Sequence, residues 1–226
     1  MSSLLTLATD PHQYEGVDGK NWQDTAVDAA SPRNRLYLKY LEGINWHGKK
    51  ILDVGSGTGW LYPHLMQTGA TSVRGIEPAH NHVALSRKNH PEFEVFEGTL
   101  DEYETNEQFD AILFIMVLVH IGDIGKTFEK ASQLLSPSGK IIAMVTHFYE
   151  NSETRAKRNG KEYDVEIIDD NQYTDKARAP GSVTDIVRRI KYYERIAPQH
   201  GLILSEHTEF AEENHSPKHL LVFNKK

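Results

Sequence analysis

Short apolar runs alternate with stretches of helical periodicity along the first two thirds of the chain. Strands that alternate with helices in this way are typical of a parallel sheet with helices on both faces. The run Ala111–Ile115 is apolar throughout, as expected of a central strand that is buried on both faces. The predicted strands are Lys50–Val54, Ser72–Glu77, Phe93–Glu97, Ala111–Ile115 and Lys140–Val145.

Helices are expected before and between these strands. Ser31 followed by Pro32 is typical of an N-cap with proline in the first helical turn. Pro137 and Gly139 are expected to close the last of these helices. The predicted helices are Pro32–Leu41, Trp60–Gln67, Asn81–Lys88 and Thr127–Leu135.

The alternation stops after the fifth strand. Residues 148–182 show no clear helical pattern, and Asn159-Gly160 predicts a β-hairpin between 155–158 and 161–168. We interpret this region as an insertion over the edge of the sheet rather than as a separate domain.

The last part of the chain predicts one helix and two strands. Apolar residues recur at helical spacing from Thr184 to Ala197. Two further runs, Leu202–Phe210 and His219–Asn224, are separated by a short segment and therefore predict an antiparallel hairpin.

Composition and charge narrow the class of protein. The chain has 226 residues, 38% of them hydrophobic and none of them cysteine, so it can form one large domain without disulfides. Its 25 Lys and Arg against 32 Asp and Glu give a net charge of −7, which argues against a nucleic-acid partner. The longest apolar run, Ala111–Val119, is far shorter than the roughly 20 residues of a membrane-spanning helix. Since the N-terminus also carries no basic leader, we expect a soluble, cytoplasmic protein.

Three glycines at alternate positions follow the first predicted strand: Gly55, Gly57 and Gly59. Glycine permits a sharp turn and a close approach of the backbone to a ligand, and the helix start that follows supplies unpaired N–H groups. Glu77 ends the second predicted strand, where its carboxylate could accept both hydroxyls of a ribose. The loop therefore indicates a nucleoside-containing cofactor, although a tight turn without a ligand is an alternative.

Two residues disfavour a dinucleotide as that cofactor. A dinucleotide-binding loop has glycine where this chain has Trp60, whose indole would obstruct the close packing of helix on strand. Asp53, two residues before the loop, would repel a pyrophosphate. Both residues are better suited to a cofactor with an amino group and a sulfonium.

Asp53-Val-Gly-Ser-Gly-Thr-Gly59 resembles the first motif of the class I methyltransferases that use S-adenosylmethionine. The resemblance spans about residues 45–146 and is strongest to the small-molecule branch that includes the ubiquinone-pathway O-methyltransferases. It continues in register through Glu77, Glu97-Gly98-Thr99-Leu100-Asp101, Phe109-Asp110, Val119-His120-Ile121-Gly122-Asp123 and Leu135-Ser-Pro-Ser-Gly139-Lys140.

This resemblance implies an α/β fold. The expected core is a Rossmann-like, seven-stranded, mostly parallel sheet with one antiparallel strand, helices on both faces and a small insertion after strand 5. The cofactor crevice would lie between the first and fourth strands, where the strand order reverses. One domain would span residues 1–226, with an N-terminal helical lid at 1–44 and a substrate-covering insertion at 148–182.

The resemblance also implies which residues bind the cofactor and its product, S-adenosylhomocysteine. Asp53 would bind the methionine amino group and Glu77 the ribose diol. Thr99 and Leu100 would flank the adenine, with Asp101 as a substitute for the aspartate that many relatives carry in place of Thr99. The other residues assigned to the cofactor are Gly55, Ser56, Gly57, Gly59, Pro78 and the carbonyl of Ile115, with Tyr14, Trp22 and Arg35 from the N-terminal segment.

Methyl transfer from a sulfonium depends chiefly on alignment with the acceptor atom, and a hydroxyl acceptor often needs a general base as well. His147, directly after the fifth strand, and His120, after the fourth, are the candidate catalytic residues. Tyr149, Tyr163 and Tyr173 in the insertion are expected to line the substrate site.

We expect no metal, because Thr146-His147 at the end of the fifth strand lacks the paired Asp and Asn of metal-dependent catechol-type O-methyltransferases. The predicted function is methyl transfer to N or O of a small polar metabolite by a monomer or homodimer. One alternative is an RNA or protein methyltransferase that docks through the basic stretch 155–161. The other is a non-catalytic module that binds S-adenosylmethionine.

Overall fold

The computed structural model of the chain describes residues 4–11, 13–15, 31–158, 160–178, 182–211 and 216–226. The helices are α1 (Leu4–Ala8), α2 (Pro32–Leu41), α3 (Tyr62–Gln67), α4 (His80–Asn89), α5 (Ile124–Leu134), α6 (Ser152–Ala156) and α7 (Ile190–Ile196), with 3₁₀ helices at Leu118–His120 and Ala197–His200. The strands are β1 (Lys50–Val54), β2 (Ser72–Glu77), β3 (Glu94–Glu97), β4 (Phe109–Ile115), β5 (Leu135–Thr146), β6 (Lys157–Arg158), β7 (Lys161–Asp169), β8 (Gln172–Ala177), β9 (Thr184–Arg188), β10 (Leu202–Phe210) and β11 (Lys218–Lys225).

Seven strands form the main sheet, in the order β10-β11-β5-β4-β1-β2-β3. The pairings from β5 to β3 are all parallel, whereas β11 runs antiparallel to both of its neighbours, β5 and β10. The predicted fold, with one antiparallel strand in a mostly parallel sheet, is therefore confirmed, as is the antiparallel hairpin of β10 and β11.

β1 and β4 lie side by side in the middle of the sheet, and the strand order reverses between them. Leu52 packs with Phe128 of α5 on one face of the sheet, and Ile51 packs with Tyr37 of α2 on the other. The helices thus bury both faces of the central strands. Because ligands bind in the crevice that such a reversal leaves at the carboxyl ends of the strands, the fold places a site after β1 and β4.

A second, antiparallel sheet follows β5, with its strands in the order β6-β7-β8-β9. β6 and β7 form the hairpin predicted at Asn159-Gly160, although Asn159 itself lies outside the described residues. Phe148, Tyr173 and Val187 form the core of this small sheet. Through β9 it packs against the 3₁₀ helix Leu118–His120, which follows β4.

Two predictions in this region are wrong. Thr184–Arg188 is strand β9, not the first half of a helix, and α7 begins only at Ile190. The β-branched residues of Thr184-Asp-Ile-Val187 suit a strand, and pairing with β8 outweighs the helical spacing of the apolar positions. In addition, α6 forms within the stretch predicted to be without helix, because the side chain of Asn151 caps its first N–H groups.

Other bounds differ from the predicted ones by a few residues. β5 begins at Leu135 instead of Lys140, and α5 begins at Ile124 because the side chain of Asp123 caps the Lys126 N–H. Ser31 caps α2 as predicted, by accepting a hydrogen bond from the Asn34 N–H. None of the helices in the described ranges has both the length and the apolar character needed to cross a bilayer.

Candidate active site

A cavity of about 330 Å³ lies at the carboxyl ends of β1, β2 and β4. Its walls come from the glycine loop, from the segments that follow β2, β3 and β4, and from residues 9–11, 13 and 14. The residues assigned to the cofactor that line it are Tyr14, Gly55, Gly57, Glu77, Pro78, Thr99, Leu100, Asp101 and Ile115. The sheet therefore brings most of that predicted set together.

Gly55 and Gly57 serve the cavity in different ways. Both have a left-handed backbone, with φ of +68° and +56°, which favours glycine. A Cβ at Gly55 would lie 2.4 Å from Cγ2 of Val117, so a side chain there would force apart the loops after β1 and β4. A Cβ at Gly57 would have no neighbour within 4 Å. Since Gly57 lines the cavity, the missing side chain leaves room for a ligand against its backbone.

Glu77 fixes the glycine loop and also faces the cavity. Its buried carboxylate accepts hydrogen bonds from the N–H groups of Gly57 (2.8 Å) and Ala79 (3.0 Å). Nδ1 of His82 lies 3.5 Å from its Oε1. Because a carboxylate offers about four acceptor positions, Glu77 retains capacity for the hydroxyl groups of a ligand.

Asp53 is buried in β1 and lies behind the cavity rather than in its lining. Burial, and secondly the negative charge of Glu77, raise the pKa of Asp53 from 3.8 to about 8. A nearby cation would favour the charged form of this carboxyl group. The position therefore suits the ammonium group of a ligand.

The N-terminal segment covers the cavity through a hydrogen-bond network around His120. The Tyr14 hydroxyl lies 2.5 Å from Nε2 of His120, and Nδ1 lies 3.3 Å from the carbonyl oxygen of Thr184. The amide nitrogen of Gln13, also 3.3 Å from Nδ1, donates to the carbonyl of Ala8. We assign the imidazole proton to Nδ1, because the Thr184 carbonyl can only accept whereas the Gln13 amide already donates to Ala8; Nε2 then accepts from the Tyr14 hydroxyl.

Both members of this Tyr14–His120 pair are uncharged near neutral pH. Burial lowers the pKa of His120 from 6.5 to about 4. Burial, followed by the charges of Asp185 and Glu77, raises the pKa of Tyr14 well above 10. The pair is therefore a phenol that donates to a neutral imidazole.

A second cavity, of about 310 Å³, adjoins the first. Tyr14, Met116 and His120 line both cavities and so form their common boundary. The rest of the second cavity is lined from both sheets, by Tyr37, Thr146, Lys161, Tyr163, Asp175, Ala177, Ser182, Val183, Asp185, Ser216 and Lys218. The hydroxyl of Thr146 is buried there and makes no hydrogen bond to the described residues, which is costly unless a polar ligand supplies one.

Comparison with known proteins decides the family. A family model described as a methyltransferase domain matches residues 27–208. The chain belongs to this family. The membership confirms the resemblance to class I methyltransferases, and with it S-adenosylmethionine as the cofactor.

Curated relatives align with part of the methyltransferase domain. The chain is similar to the ubiquinone biosynthesis O-methyltransferase of Azorhizobium caulinodans, with 32% identity over 100 residues that cover 42% of this chain and 39% of the relative. The corresponding enzyme of Bradyrhizobium diazoefficiens is 29% identical over 99 residues, again 42% of this chain and 39% of the relative. The chain thus spans about two fifths of the length of these relatives.

Solved structures match more of the methyltransferase domain. An S-adenosylmethionine-dependent methyltransferase of Mesorhizobium loti superposes with a TM-score of 0.63 at 17% identity, over 84% of this chain and 96% of that one. A SAM-bound amino pentose methyltransferase of Micromonospora echinaspora gives 0.60 at 16% identity, over 85% and 96%. At these identities the likeness establishes the fold.

The residues in and directly behind the first cavity fit S-adenosylmethionine. Asp53 is a buried carboxyl group whose charged form a cationic amino group would favour, and Glu77 offers acceptors for a ribose diol. The open space beside Gly57 is a cradle that a Cβ would fill. Pro78, Leu100 and Ile121 add apolar surface suited to an adenine ring.

Three further described residues assigned to the cofactor, Ser56, Gly59 and Arg35, do not line either cavity. Ser56 is buried within the loop, and a Cβ at Gly59 would lie 2.7 Å from Oγ of Ser86, so Gly59 allows close packing against α4. Arg35 is exposed on α2. Trp22 lies outside the described residues.

The two candidate catalytic histidines lie in different places. His120 stands between the cavities, whereas His147 is absent from the described lining of both. Side chains alternate in direction along a strand, so His147 projects away from the second cavity, which the preceding Thr146 lines. Nδ1 of His147 lies instead 3.1 Å from Nε2 of His219. His147, a predicted catalytic residue, therefore lies away from both cavities.

The three tyrosines assigned to the substrate site also lie in different places. Tyr163 lines the second cavity, but Tyr149 and Tyr173 do not line it in the described part of the chain. Tyr173 is fully buried in the core of the small sheet, where its hydroxyl accepts from the Tyr149 N–H at 3.3 Å. The ring of Tyr149 packs against His147.

Sequence reasoning missed several residues that line the second cavity. Met116 has φ of +62°, in a region that side chains other than glycine rarely adopt, and no sequence pattern indicates this. Asp175 and Asp185 face the cavity from β8 and β9. The helix predicted from Thr184 to Ala197 concealed Asp185, whereas a strand assignment would have placed it on one sheet with Asp175.

Proposed function

We propose that the chain transfers a methyl group from S-adenosylmethionine to a nitrogen or oxygen atom of a small polar molecule held in the second cavity. The observation that carries this proposal is the common boundary of the two cavities, formed by Tyr14, Met116 and His120. A cofactor in one cavity and an acceptor in the other would meet there. Positioning of reactants in this way is worth about 7–11 kcal/mol.

The cofactor supplies a methyl group on a sulfonium, which leaves as a neutral thioether. The chain itself must then orient the acceptor and exclude water. Residues 9–11, 13 and 14 cover the first cavity, and the hydrogen bonds of Gln13 and Tyr14 hold this segment against Thr184 and His120. The same segment therefore closes the cofactor site and completes the acceptor site.

The Tyr14–His120 pair offers a place for the proton of the acceptor. The pKa of His120 near 4 keeps its Nε2 free of a proton at neutral pH. An acceptor that hydrogen-bonds to the Tyr14 oxygen could pass its proton through Tyr14 to that nitrogen. Asp185, with Oδ1 3.8 Å from Nδ1, would stabilise the resulting imidazolium.

The size and lining of the second cavity support a small acceptor. Its volume of about 310 Å³ lies at the lower end of the range of roughly 300–1,000 Å³ for small-molecule sites. Carboxylates, hydroxyls and two lysines line it. The names of two similar proteins, a ubiquinone biosynthesis O-methyltransferase and an amino pentose methyltransferase, also refer to small-molecule acceptors.

The basic stretch 155–161 supports this proposal more than it supports docking of RNA. Arg155 donates hydrogen bonds to the carbonyls of Tyr149 and Glu150, and its guanidinium lies 5.1 Å from the ring centre of Phe148. Lys161 lines the second cavity. Two positively charged residues of the stretch, Arg155 and Lys161, therefore interact with or line other parts of the fold.

Calorimetry and a transfer assay together test the proposal. We expect S-adenosylmethionine and S-adenosylhomocysteine to bind with micromolar affinity and NAD not to bind. Methyl-labelled S-adenosylmethionine is then incubated with panels of amines, phenols, amino sugars and organic acids. Label on one of these acceptors supports the proposal. Binding without transfer to any acceptor would favour the non-catalytic module, and salt-sensitive retention on RNA would favour the RNA methyltransferase.

A matched pair of variants then tests the acceptor cavity. Tyr163→Ala should raise the KM for the acceptor by about tenfold, the effect of one lost contact in a binding pocket, and leave cofactor affinity unchanged. Tyr149→Ala removes the same side chain outside the cavity and should leave that KM close to the wild-type value. Equal effects of the two variants would show that the acceptor binds elsewhere.

A further inference from the structure

Four polar side chains, from β10, β11 and the residue that follows β5, come together on one side of the β10–β11 hairpin. His219 of β11 lies opposite Val145 of β5 and opposite Glu209 of β10. Paired residues, and residues two positions further along a strand, project from the same face of a sheet. His147 and His207 therefore project on the same side as His219 and Glu209.

The distances within this cluster match the spacing of metal ligands. Nδ1 of His147 lies 3.1 Å from Nε2 of His219 and 3.7 Å from Oε1 of Glu209. One ligand atom from each of the three residues lies within 4.8 Å of the other two. In a tetrahedral site with Zn–N bonds of about 2.0–2.1 Å, neighbouring ligand atoms are roughly 3.3–3.4 Å apart.

His207 supplies the interaction that a ligating histidine usually needs on its other ring nitrogen. Its Nε2 lies 2.9 Å from Nδ1 of His219, the nitrogen that faces away from His147. A hydrogen bond to His207 would leave Nε2 of His219 free to coordinate an ion and would fix the orientation of the ring.

The cluster is separate from the two cavities. Lys218 and Thr146 are register partners on neighbouring strands and line the second cavity, whereas the next residues, His219 and His147, project from the opposite face. His219 is buried, His147 is half-buried, and Glu209 is exposed, so the cluster opens to solvent on one side.

We propose that His147, Glu209 and His219 bind a divalent transition-metal ion, Zn²⁺ in the first place. Two imidazoles and one carboxylate suit zinc, with a fourth position left for water. The ion would tie β5, β10 and β11 together and thereby stabilise the end of the main sheet. This site does not depend on the proposed methyl transfer. The sequence did not predict this metal site, because only the register of the strands brings the three residues together.

The test is calorimetric titration with ZnCl₂ of the full chain, prepared without added histidines and dialysed against a chelator. We expect about one equivalent of zinc to bind with micromolar or tighter affinity and to raise the melting temperature, since an ion held by the native sheet favours the folded state. Co²⁺ in place of zinc should give the visible absorption of a four-coordinate ion.

Three variants locate the ion. His147→Ala and Glu209→Gln change side chains that are partly exposed, so both variants should fold, and each should weaken zinc binding at least about tenfold. His80→Ala is the matched control, because His80 lies 2.7 Å from Glu97 in an exposed pair that has no third ligand among the described residues. Its zinc affinity should equal that of the wild type. No saturable binding, or equal binding by the wild type, His147→Ala and Glu209→Gln, would overturn the proposal.

Discussion

Glu77 and Asp53 show how much of the cofactor site depends on two neighbouring carboxyl groups. Glu77 holds the N–H groups of Gly57 and Ala79 while it faces the cavity. Its charge is also one cause of the raised pKa of Asp53. A ligand that carries an ammonium group would favour the charged form of Asp53, so the ligand-free site is prepared for a cation.

The first prediction concerns Glu77. Glu77→Gln keeps the size of the side chain but removes the charge and one acceptor. It should weaken binding of S-adenosylmethionine by about 1.5–3 kcal/mol, the value of a hydrogen bond to a charged group, which is roughly ten- to hundredfold in Kd. Calorimetric titration measures the change. Glu107→Gln, which alters a surface ion pair with Arg74, is the control, and equal affinities of the two variants would show that Glu77 is not a ligand of the cofactor.

The second prediction concerns the pH dependence of stability. Between about pH 4 and pH 8, Asp53 is ionised in the unfolded chain but keeps its proton in the folded one, because its folded pKa is raised to about 8. The folded state then binds more protons, so this group lowers the free energy of unfolding as pH rises across that window. His120, whose folded pKa is lowered to about 4, acts in the opposite direction below about pH 6.5.

A comparison of variants isolates the contribution of Asp53. The free energy of unfolding of the ligand-free wild type should fall relative to that of Asp53→Asn as pH rises from about 4 to 8, and the difference should level off outside this window. Urea unfolding at a series of pH values measures it. Parallel curves for the two proteins would contradict the raised pKa.

At the scale of elements, strand β9 connects the small sheet to the cofactor site. Arg188, at the end of β9, is almost fully buried. Its guanidinium donates hydrogen bonds to the carbonyls of Leu118 (2.8 Å), Ile121 (2.7 Å) and Gly122 (3.2 Å), and its Nε donates to Gln172 (3.0 Å). The carbonyls belong to the segment that carries His120, so the small sheet fixes the position of the residues between the two cavities.

The third prediction follows from this contact. Lysine cannot reproduce the planar fork of arginine, so Arg188→Lys leaves at least one buried carbonyl without a donor, at a cost of about 1–3 kcal/mol in the free energy of unfolding. Because Ile121 and Gly122 line the first cavity, cofactor affinity should fall as well. Urea unfolding and calorimetry measure the two effects. Arg189→Lys, the same change at the neighbouring half-buried residue, should affect both much less, and similar losses in the two variants would refute the role of Arg188.

The same strand shows why sequence reasoning succeeds for some elements and fails for others. The central strands are continuous apolar runs, because both of their faces are covered, and such runs are visible without a structure. β9 is recognisable only through its pairing with β8, since Ile186 and Val187 also fit the spacing of the helix that follows. The pairing of β9 with β8 decides that this segment is a strand, and that pairing cannot be read from a single sequence.

At the scale of the whole molecule, the two halves of the site differ in how far they were predictable. The cofactor side follows from a local motif, because Gly55, Gly57 and the distant Glu77 occupy fixed positions at the ends of strands. The proposed acceptor side depends on how the small sheet lies over the main one, which brings Tyr163 and Asp185 into one cavity with His120. His147 was misplaced because a one-residue step along a strand reverses the direction of the side chain.

The fourth prediction concerns the stability of the whole domain. A cofactor product that binds only the folded chain should stabilise it by about 2.7 kcal/mol at a concentration one hundred times its Kd. For a domain of this size each kcal/mol raises the melting temperature by roughly 2–4 °C, so S-adenosylhomocysteine should raise it by about 5–11 °C. Differential scanning calorimetry measures the shift, and NAD at the same concentration serves as the control. An unchanged melting temperature would argue against binding in the first cavity.

The place of β11 between β5 and β10 has a consequence for folding during synthesis on the ribosome. β5 ends at Thr146, but its partner on that side begins only at Lys218, so about 70 residues must be translated before the strand is covered. At roughly 5–20 residues per second, this leaves the edge of β5 unpaired for several seconds. The edge includes Ile141 and Ile142, and exposed apolar strand edges promote aggregation. We therefore expect nascent chains stalled before Lys218 to depend on chaperones far more than the completed chain does.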